Sequence, residues 1–337
     1  MNGAQNILEV TDLKVHYPIA GGGKVHAVDG VSFVLPPGVA FGLVGESGSG
    51  KTTAALACAR LNDITAGTIR LNGQDITRIE GEALKAARRD VQVVFQDPYA
   101  SLNPRERAGA IVRRPLDLLK VGSPAERAAR VDELFALVGL RPDQKELFPH
   151  QFSGGQRQRI GVARALASRP RLIICDEPVS ALDVAIQAQI LNLLARLKRD
   201  LGLSYLFISH DLAVVQHLCD RIAVMYLGQI VETGTRRQIF TRPSHPYTHA
   251  LISAVPSPHA IGGTDSRIRL IGDPPSPIAP PSGCRFAGRC AHAQDRCRQD
   301  APPLADTGEG HAVACHRAND PEVVAAREAL FRAAPSG

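Results

Sequence analysis

The stretch VAFGLVGESGSGKTTAALACARL, Val39 to Leu61, decides the fold. It opens as a short apolar run of strand length and closes as an Ala- and Leu-rich segment that reads as helix. Between the two, Gly45-Glu46-Ser47-Gly48-Ser49-Gly50-Lys51-Thr52 fits the spacing G-x-x-x-x-G-K-[ST], followed by Thr53. Each residue type has a chemical reason to be there. Glycines let the backbone wrap a phosphate with its N–H groups pointing inward, and the helix N-terminus adds partial positive charge. Lys51 brings a point charge to the outer phosphate oxygens, and the Thr52 hydroxyl can reach Mg²⁺. A chance Gly-rich turn would not also supply Lys-Thr and the correct flanking elements.

Working outward, LIICDEP (Leu172–Pro178) puts Asp176 at the end of an apolar strand, where it can hold Mg²⁺, and Glu177 directly after it. A carboxylate in that place can orient and deprotonate an attacking water. Gln96, after VQVVF, and His210, after SYLFIS, each end a predicted strand. Taken singly, each reads more readily as a structural residue. Beside the phosphate loop, Gln96 becomes a candidate Mg²⁺ and water ligand and His210 a candidate γ-phosphate contact. In FSGGQRQRIGVARAL, Phe152 to Leu166, a Ser-Gly-Gly turn opens a second helix. An N-cap explains Ser153, but it does not explain two glycines in a first turn, where glycine is unfavourable.

Strand and helix patterns alternate along the chain, so the fold class is α/β around a mainly parallel sheet. ILEVTDLKVHY and KVHAVDGVSFVL predict antiparallel strands at its edge, and GTIRLNGQDI a hairpin strand with an Asn-Gly turn. Residues of about 97–165 predict a helical insertion. Composition changes near Arg242: from there to Pro281 the chain is rich in Pro, Ser and Gly and reads as an extended connection. The expected division is a nucleotide-binding domain over 1–240, a small Cys-rich extension over 241–320 and a tail over 321–337.

Bulk properties exclude some classes. Of 337 residues 44% are hydrophobic, enough for a sizeable core, and only 4% are aromatic with no Trp, so stacking platforms for single-stranded nucleic acid are scarce. A net charge of +6 is modest for this length and reads as a solvated surface with excess Arg. MNGAQNILEVTDLK lacks the basic start and apolar run of a signal peptide, and no run of about eighteen apolar residues occurs. The expectation is a soluble, cytoplasmic chain whose membrane role comes through a partner.

GESGSGKTT, Gln96, FSGGQ, LIICDE, Ser180-Ala181-Leu182-Asp183 and His210 stand in the order found in ATP-binding cassette ATPases, and the resemblance covers about residues 7–240. It implies ATP and Mg²⁺ as ligands, with Mg²⁺ held by Thr52, Gln96 and Asp176, and catalytic roles for Glu177 and His210. It implies that two cassettes pack head to tail, so that Ser153, Gly154, Gly155 and Gln156 close on ATP held by the other subunit. Tyr17 matches the family's adenine-stacking aromatic.

Four cysteines lie at C-x₅-C-x₆-C-x₁₇-C: Cys284, Cys290, Cys297 and Cys315. A reducing compartment argues against disulfides. A [4Fe–4S] cluster, zinc and unligated thiols all remain open from spacing. Cys58, Cys175 and Cys219 sit in apolar contexts and read as core. SHPYTHALISAVP (Ser244–Pro256) with the Cys-rich tail, and PYASLNPR (Pro98–Arg105), resemble oligopeptide and dipeptide importer ATPases, nearer their F-type than their D-type subunit. That resemblance implies an iron–sulfur cluster on the four cysteines. It also implies a partner ATPase (a paralogue by the F-type likeness), two membrane permease subunits, and an extracytoplasmic peptide-binding protein that delivers substrate. The location it implies is peripheral, on the cytoplasmic face of the inner membrane, with no nucleic acid bound. The alternative from the same residues is a soluble cassette ATPase acting on nucleic acid or the ribosome. Against it, the chain has neither a coiled-coil insertion nor a second cassette.

Overall fold

The computed structural model describes residues 5–97, 99–255 and 268–332. Two long strands, β1 (Leu8–Pro18) and β2 (Lys24–Leu35), precede the apolar β3 (Ala40–Val44), which leads through the Gly-rich loop into α1 (Lys51–Cys58). Then come β4 (Ala66–Leu71) and β5 (Gln74–Asp75), joined by Asn72-Gly73 with both φ positive, at 50° and 75°. These are the angles a tight two-residue hairpin needs. After α2 (Gly81–Asp90) and β6 (Val91–Val94) the insertion forms α3 (Ala108–Leu118), α4 (Pro124–Leu137) and α5 (Gly154–Leu166). Ser123 and Glu126 make a capping box at the start of α4, with Pro124 at its first position. Next are β7 (Leu172–Asp176), α6 (Val184–Leu201), β8 (Ser204–Ser209), α7 (Leu212–Leu218), β9 (Arg221–Tyr226), β10 (Gln229–Thr235) and α8 (Arg236–Thr241). The C-terminal region adds α9 (Pro246–Ser253), α10 (Asp295–Gln299), β11 (Ala305–Gly308), β12 (His311–Val313) and α11 (Pro321–Arg332).

The main sheet has the order β11-β12-β10-β9-β3-β8-β7-β6, parallel from β9 to β6. Its central strands β3, β7, β8 and β9 are buried on both faces, and the period of two assigns alternate residues to two cores. Phe41, Leu43, Leu172, Ile174, Leu206, Ile208, Ala223 and Met225 face one core, which they share with α1 and the N-terminal strands. Ala40, Val44, Ile173, Cys175, Tyr205, Phe207, Ile222, Val224 and Tyr226 face the other, which holds the helical insertion, α6 and α7. Cys58, Cys175 and Cys219 are buried, as their apolar contexts predict.

Two expectations need correcting. The N-terminal strands do not edge the parallel sheet. With β4 and β5 they form a separate four-stranded antiparallel sheet, β2-β1-β4-β5, and the main sheet's antiparallel edge comes from the other end of the chain. Nor is Arg242–Pro281 an extended connection throughout. Its first part is α9, started by Pro246 at the first helical position, where a missing N–H costs nothing, and capped by His245 Nδ1 accepting from Tyr247 N. Composition signalled proline; the apolar Tyr247 and Ala250 turned that proline into a helix start by giving the helix a buried face. Pro256, the last residue of the SHPYTHALISAVP match, and residues 333–337 of the tail lie outside the described residues.

The change of composition near residue 240 is also not a packing boundary. β12 pairs with β10, and Tyr247 and Phe286 join the second core. No helix among the described residues is long and apolar enough to cross a membrane.

Candidate functional site

The predicted site segments leave the carboxyl ends of neighbouring parallel strands. β3 runs into the phosphate loop, β8 into His210, β7 into Glu177 and β6 towards Gln96. Ligands of open α/β sheets bind at that end of the strands. Here a cleft of about 630 Å³ is lined by Gly45, Lys51, Thr52, Gln96, Glu177 and His210, among others.

Lys51 is folded back onto its own loop, donating to Gly45 O and Glu46 O, both at 2.8 Å. Burial holds it below the usual lysine range, against the pull of the Glu177, Asp176 and Glu46 carboxylates. Gly50 precedes α1 at φ 98°, and a Cβ there would lie 2.0 Å from Ala27 O of β2. Only glycine permits both that angle and that approach. Thr52 Oγ1 donates to Asp176 Oδ1 at 2.8 Å. Burial, with the nearby Glu177 charge adding to it, raises the Asp176 carboxyl above the usual range. A divalent cation held by this hydroxyl and carboxylate would relieve that penalty.

Glu177 has φ 44°, a strained angle for a non-glycine residue. Its carboxylate is gripped from two sides: Gln96 Nε2 donates to Oε2 at 3.0 Å, and His210 Nδ1 lies 2.9 Å from Oε1. The three residues come from three strand ends that no local pattern relates. Tyr17 lies on β1 opposite Val25, a residue that lines the cleft, and is 40% exposed.

Ser153 to Gln156 do not line this cleft. They form a capping box at the start of α5, with Gln156 N donating to Ser153 Oγ at 3.3 Å and Ser153 N to Gln156 Oε1 at 3.0 Å. The glycines have a packing cause as well. A Cβ on Gly154 would stand 3.2 Å from Leu182, and one on Gly155 2.5 Å from Ile186 Cγ2. The Ser180–Asp183 turn, whose Asp183 caps α6 by accepting from Ile186 N at 3.0 Å, is thus seated directly on the Ser-Gly-Gly turn.

The four C-terminal cysteines line one small apolar cavity together with His245 and Phe286. Among the described residues no three of their sulfurs lie within 4.8 Å of one another. A zinc ion with Zn–S bonds of ~2.3 Å would draw four sulfurs to roughly 3.8 Å apart. Burial raises the Cys284 and Cys290 thiols and pushes Cys315 up to about 12. Such thiols ionise when a cation takes the place of the proton.

Sequence reasoning missed what the extension touches. Tyr247 and Arg289 both reach Glu46 of the phosphate loop, and Arg285 reaches Asp29 on β2. The one available signal was the pattern CRFAGRC, Cys284–Cys290, in which an arginine follows the first cysteine and another precedes the second.

A phosphate loop at the end of β3, a hydroxyl–carboxylate pair beside it and a held glutamate at the neighbouring strand end define a P-loop ATPase. The chain belongs to the ABC transporter family: the ABC transporter family model matches residues 28–180, and that of the oligopeptide/dipeptide transporter C-terminal region matches residues 231–297. It is 48% identical over 320 residues to the oligopeptide transport ATP-binding protein AppF of Bacillus subtilis, covering 93% of this chain and 97% of that protein. Among solved structures it is similar to the ATP-binding cassette MJ0796, in a dimeric post-hydrolysis state bound to ADP and Pi. The TM-score is 0.62 at 28% identity, over 68% of this chain and 99% of that one. It is also similar to cbiO1 of Clostridium perfringens, part of the ABC transporter complex cbiONQ, with TM-score 0.62 at 26% identity over 71% and 92% of the two chains.

Proposed function

We propose that this chain is the ATP-hydrolysing subunit of an importer of di- or oligopeptides. It works in a head-to-tail pair with a second, paralogous cassette on the cytoplasmic face of the membrane, beneath two permease subunits supplied by an extracytoplasmic peptide-binding protein. The C-terminal region and the 48% identity to AppF support the peptide branch. The observation that carries the hydrolytic part is the Glu177 carboxylate held between Gln96 and His210 at the mouth of the cleft. Glu177 there accepts the proton of the attacking water, and His210 and Gln96 keep it aimed at the γ-phosphate. The backbone of Gly45–Thr52 and Lys51 bind the β- and γ-phosphates. Thr52, Asp176 and Gln96 would hold Mg²⁺, which when bound neutralises phosphate charge.

Ser153–Gln156, which do not line the chain's own cleft, supply N–H groups and a hydroxyl to the partner's ATP. The dimeric cassette among the similar structures supports this arrangement. ATP then bridges the subunits, and its hydrolysis removes the bridging charge. The four cysteines would hold a [4Fe–4S] cluster. All four line one cavity, and the cluster would staple a segment with little core of its own.

Reconstitution with its permeases and peptide-binding protein in lipid vesicles tests the assignment. Labelled peptide should accumulate only with ATP, and peptide-loaded binding protein should raise ATP turnover. Turnover indifferent to peptide, with the chain recovered on ribosomes or DNA, would refute it.

A further inference from the structure

The Cys-rich extension does not hang from the ATPase; it grips the phosphate loop. Glu46, the second residue of that loop, is held from both its backbone and its side chain. Its N–H donates to Tyr247 Oη at 2.8 Å. Its carboxylate accepts from Arg289 Nη1 at 2.7 Å and Nη2 at 3.2 Å, a two-pronged pair. Arg289 is 9% exposed and Glu46 30%, and the guanidinium also lies 5.9 Å over the Tyr226 ring. The pairing with Glu46 is the largest cause of a raised Arg289 pKa. Glu46 O in turn accepts from Lys51 Nζ at 2.8 Å. A continuous chain of contacts therefore runs from Arg289 through Glu46 to the lysine that meets the triphosphate.

The other end of the same segment is anchored in parallel. Arg285 donates to Leu227 O and to the Asp29 carboxylate. Asp29 N donates to Gly228 O at 2.8 Å, and Gly228 N donates to Ser49 O, inside the phosphate loop, at 2.9 Å. Arg285 follows Cys284 and Arg289 precedes Cys290. Between them Phe286 packs against Tyr226 and Tyr247, with ring centroids 5.3 Å away in each case. Cys284 and Cys290 thus bound a short strap whose two arginines and Phe286 anchor it to the loop and to the second core.

We infer that Cys284–Cys290 is a positioning strap for the nucleotide site: Arg289 and Tyr247 hold Glu46, and so the phosphate loop and Lys51, in the shape that receives ATP. This deepens the reading of Gly45–Thr52 as the triphosphate loop and rests on it. It does not depend on what the four thiols bind.

The test measures MgATP and MgADP affinity of the full-length chain by calorimetry for wild type, R289M, R289K, E46Q and the R289M/E46Q double variant. Steady-state kinetics of the assembled transporter and thermal unfolding accompany it. R289M is expected to weaken nucleotide binding about fivefold or more, with the loss in KM rather than in kcat. R289K, which keeps the charge but not the fork, should recover part of it. The double variant should bind no worse than the poorer single one, because both break one contact. E46Q keeps the proposal testable should R289M unfold, since Glu46 is 30% exposed. Wild-type affinity in R289M and E46Q, or losses that add in full, would overturn the strap. A wild-type chain that binds no MgATP would overturn the site assignment itself.

Discussion

Gly155→Ala measures how tightly the Ser-Gly-Gly turn is seated on the turn before α6. A Cβ at Gly155 would lie 2.5 Å from Ile186 Cγ2, roughly 1 Å inside the ~3.5–4.0 Å optimum for two carbons. Neither backbone retreats easily. Gly155 lies in the first turn of α5 behind the Ser153–Gln156 capping box, and Ile186 in the first turn of α6, whose N–H is bound to Asp183. Ile186 is only half-buried, so its side chain can yield in part. That puts the overpacking cost in the lower part of its usual range, about 1–2 kcal/mol. The better helix propensity of alanine offsets some of this, at most about 1 kcal/mol. The net expectation is a loss of about 1 kcal/mol in unfolding free energy. Denaturant unfolding of G155A, I186A and the double variant closes a cycle. In the I186A background the added methyl finds the space that Cγ2 vacates, so G155A should there be neutral or stabilising. An equal loss in both backgrounds would refute the packing argument and leave the second glycine without a structural cause within its own chain.

Glu177→Gln removes the base but keeps the bulk, so turnover in the assembled transporter should fall by about 10²–10⁴-fold while ATP still binds. An ATP-stabilised dimer should then persist on size-exclusion chromatography, and undiminished turnover would remove Glu177 from its role. Thr52→Val deletes the hydroxyl that donates to Asp176, so Mg²⁺-dependent nucleotide affinity should drop more than affinity measured in EDTA; equal drops would count against Thr52 as a cation ligand. Asp183→Ala loses the cap on α6 and should cost about 1 kcal/mol in denaturant unfolding. Protein purified without air should contain iron and absorb broadly near ~400 nm. Stoichiometric zinc with no iron would reverse the cluster assignment.

Local residue order determined much of this protein by itself. The phosphate loop was legible because G-x-x-x-x-G-K-T between a strand and a helix is a contiguous device: every group it needs lies within a few residues, and backbone conformation alone brings them together. The cap of α5 at Ser153 was legible for the same reason, since a side chain and an N–H three residues on meet whenever a helix starts. Other features depended on the sheet. Gln96 and His210 each looked ambiguous in isolation, and only the parallel order β6-β7-β8 makes their strand ends neighbours of Glu177. The alternation in β1 and β2 shows that each buries one face, but it does not say which sheet a strand joins, and the two stand in a separate sheet with β4 and β5. Least legible was the strap. Arg289 and Glu46 are 243 residues apart, and nothing in a basic side chain beside a cysteine names its carboxylate partner. Pairings of that kind are chosen by how the whole chain packs, because Coulombic attraction acts through distance in space and takes no account of position along the sequence.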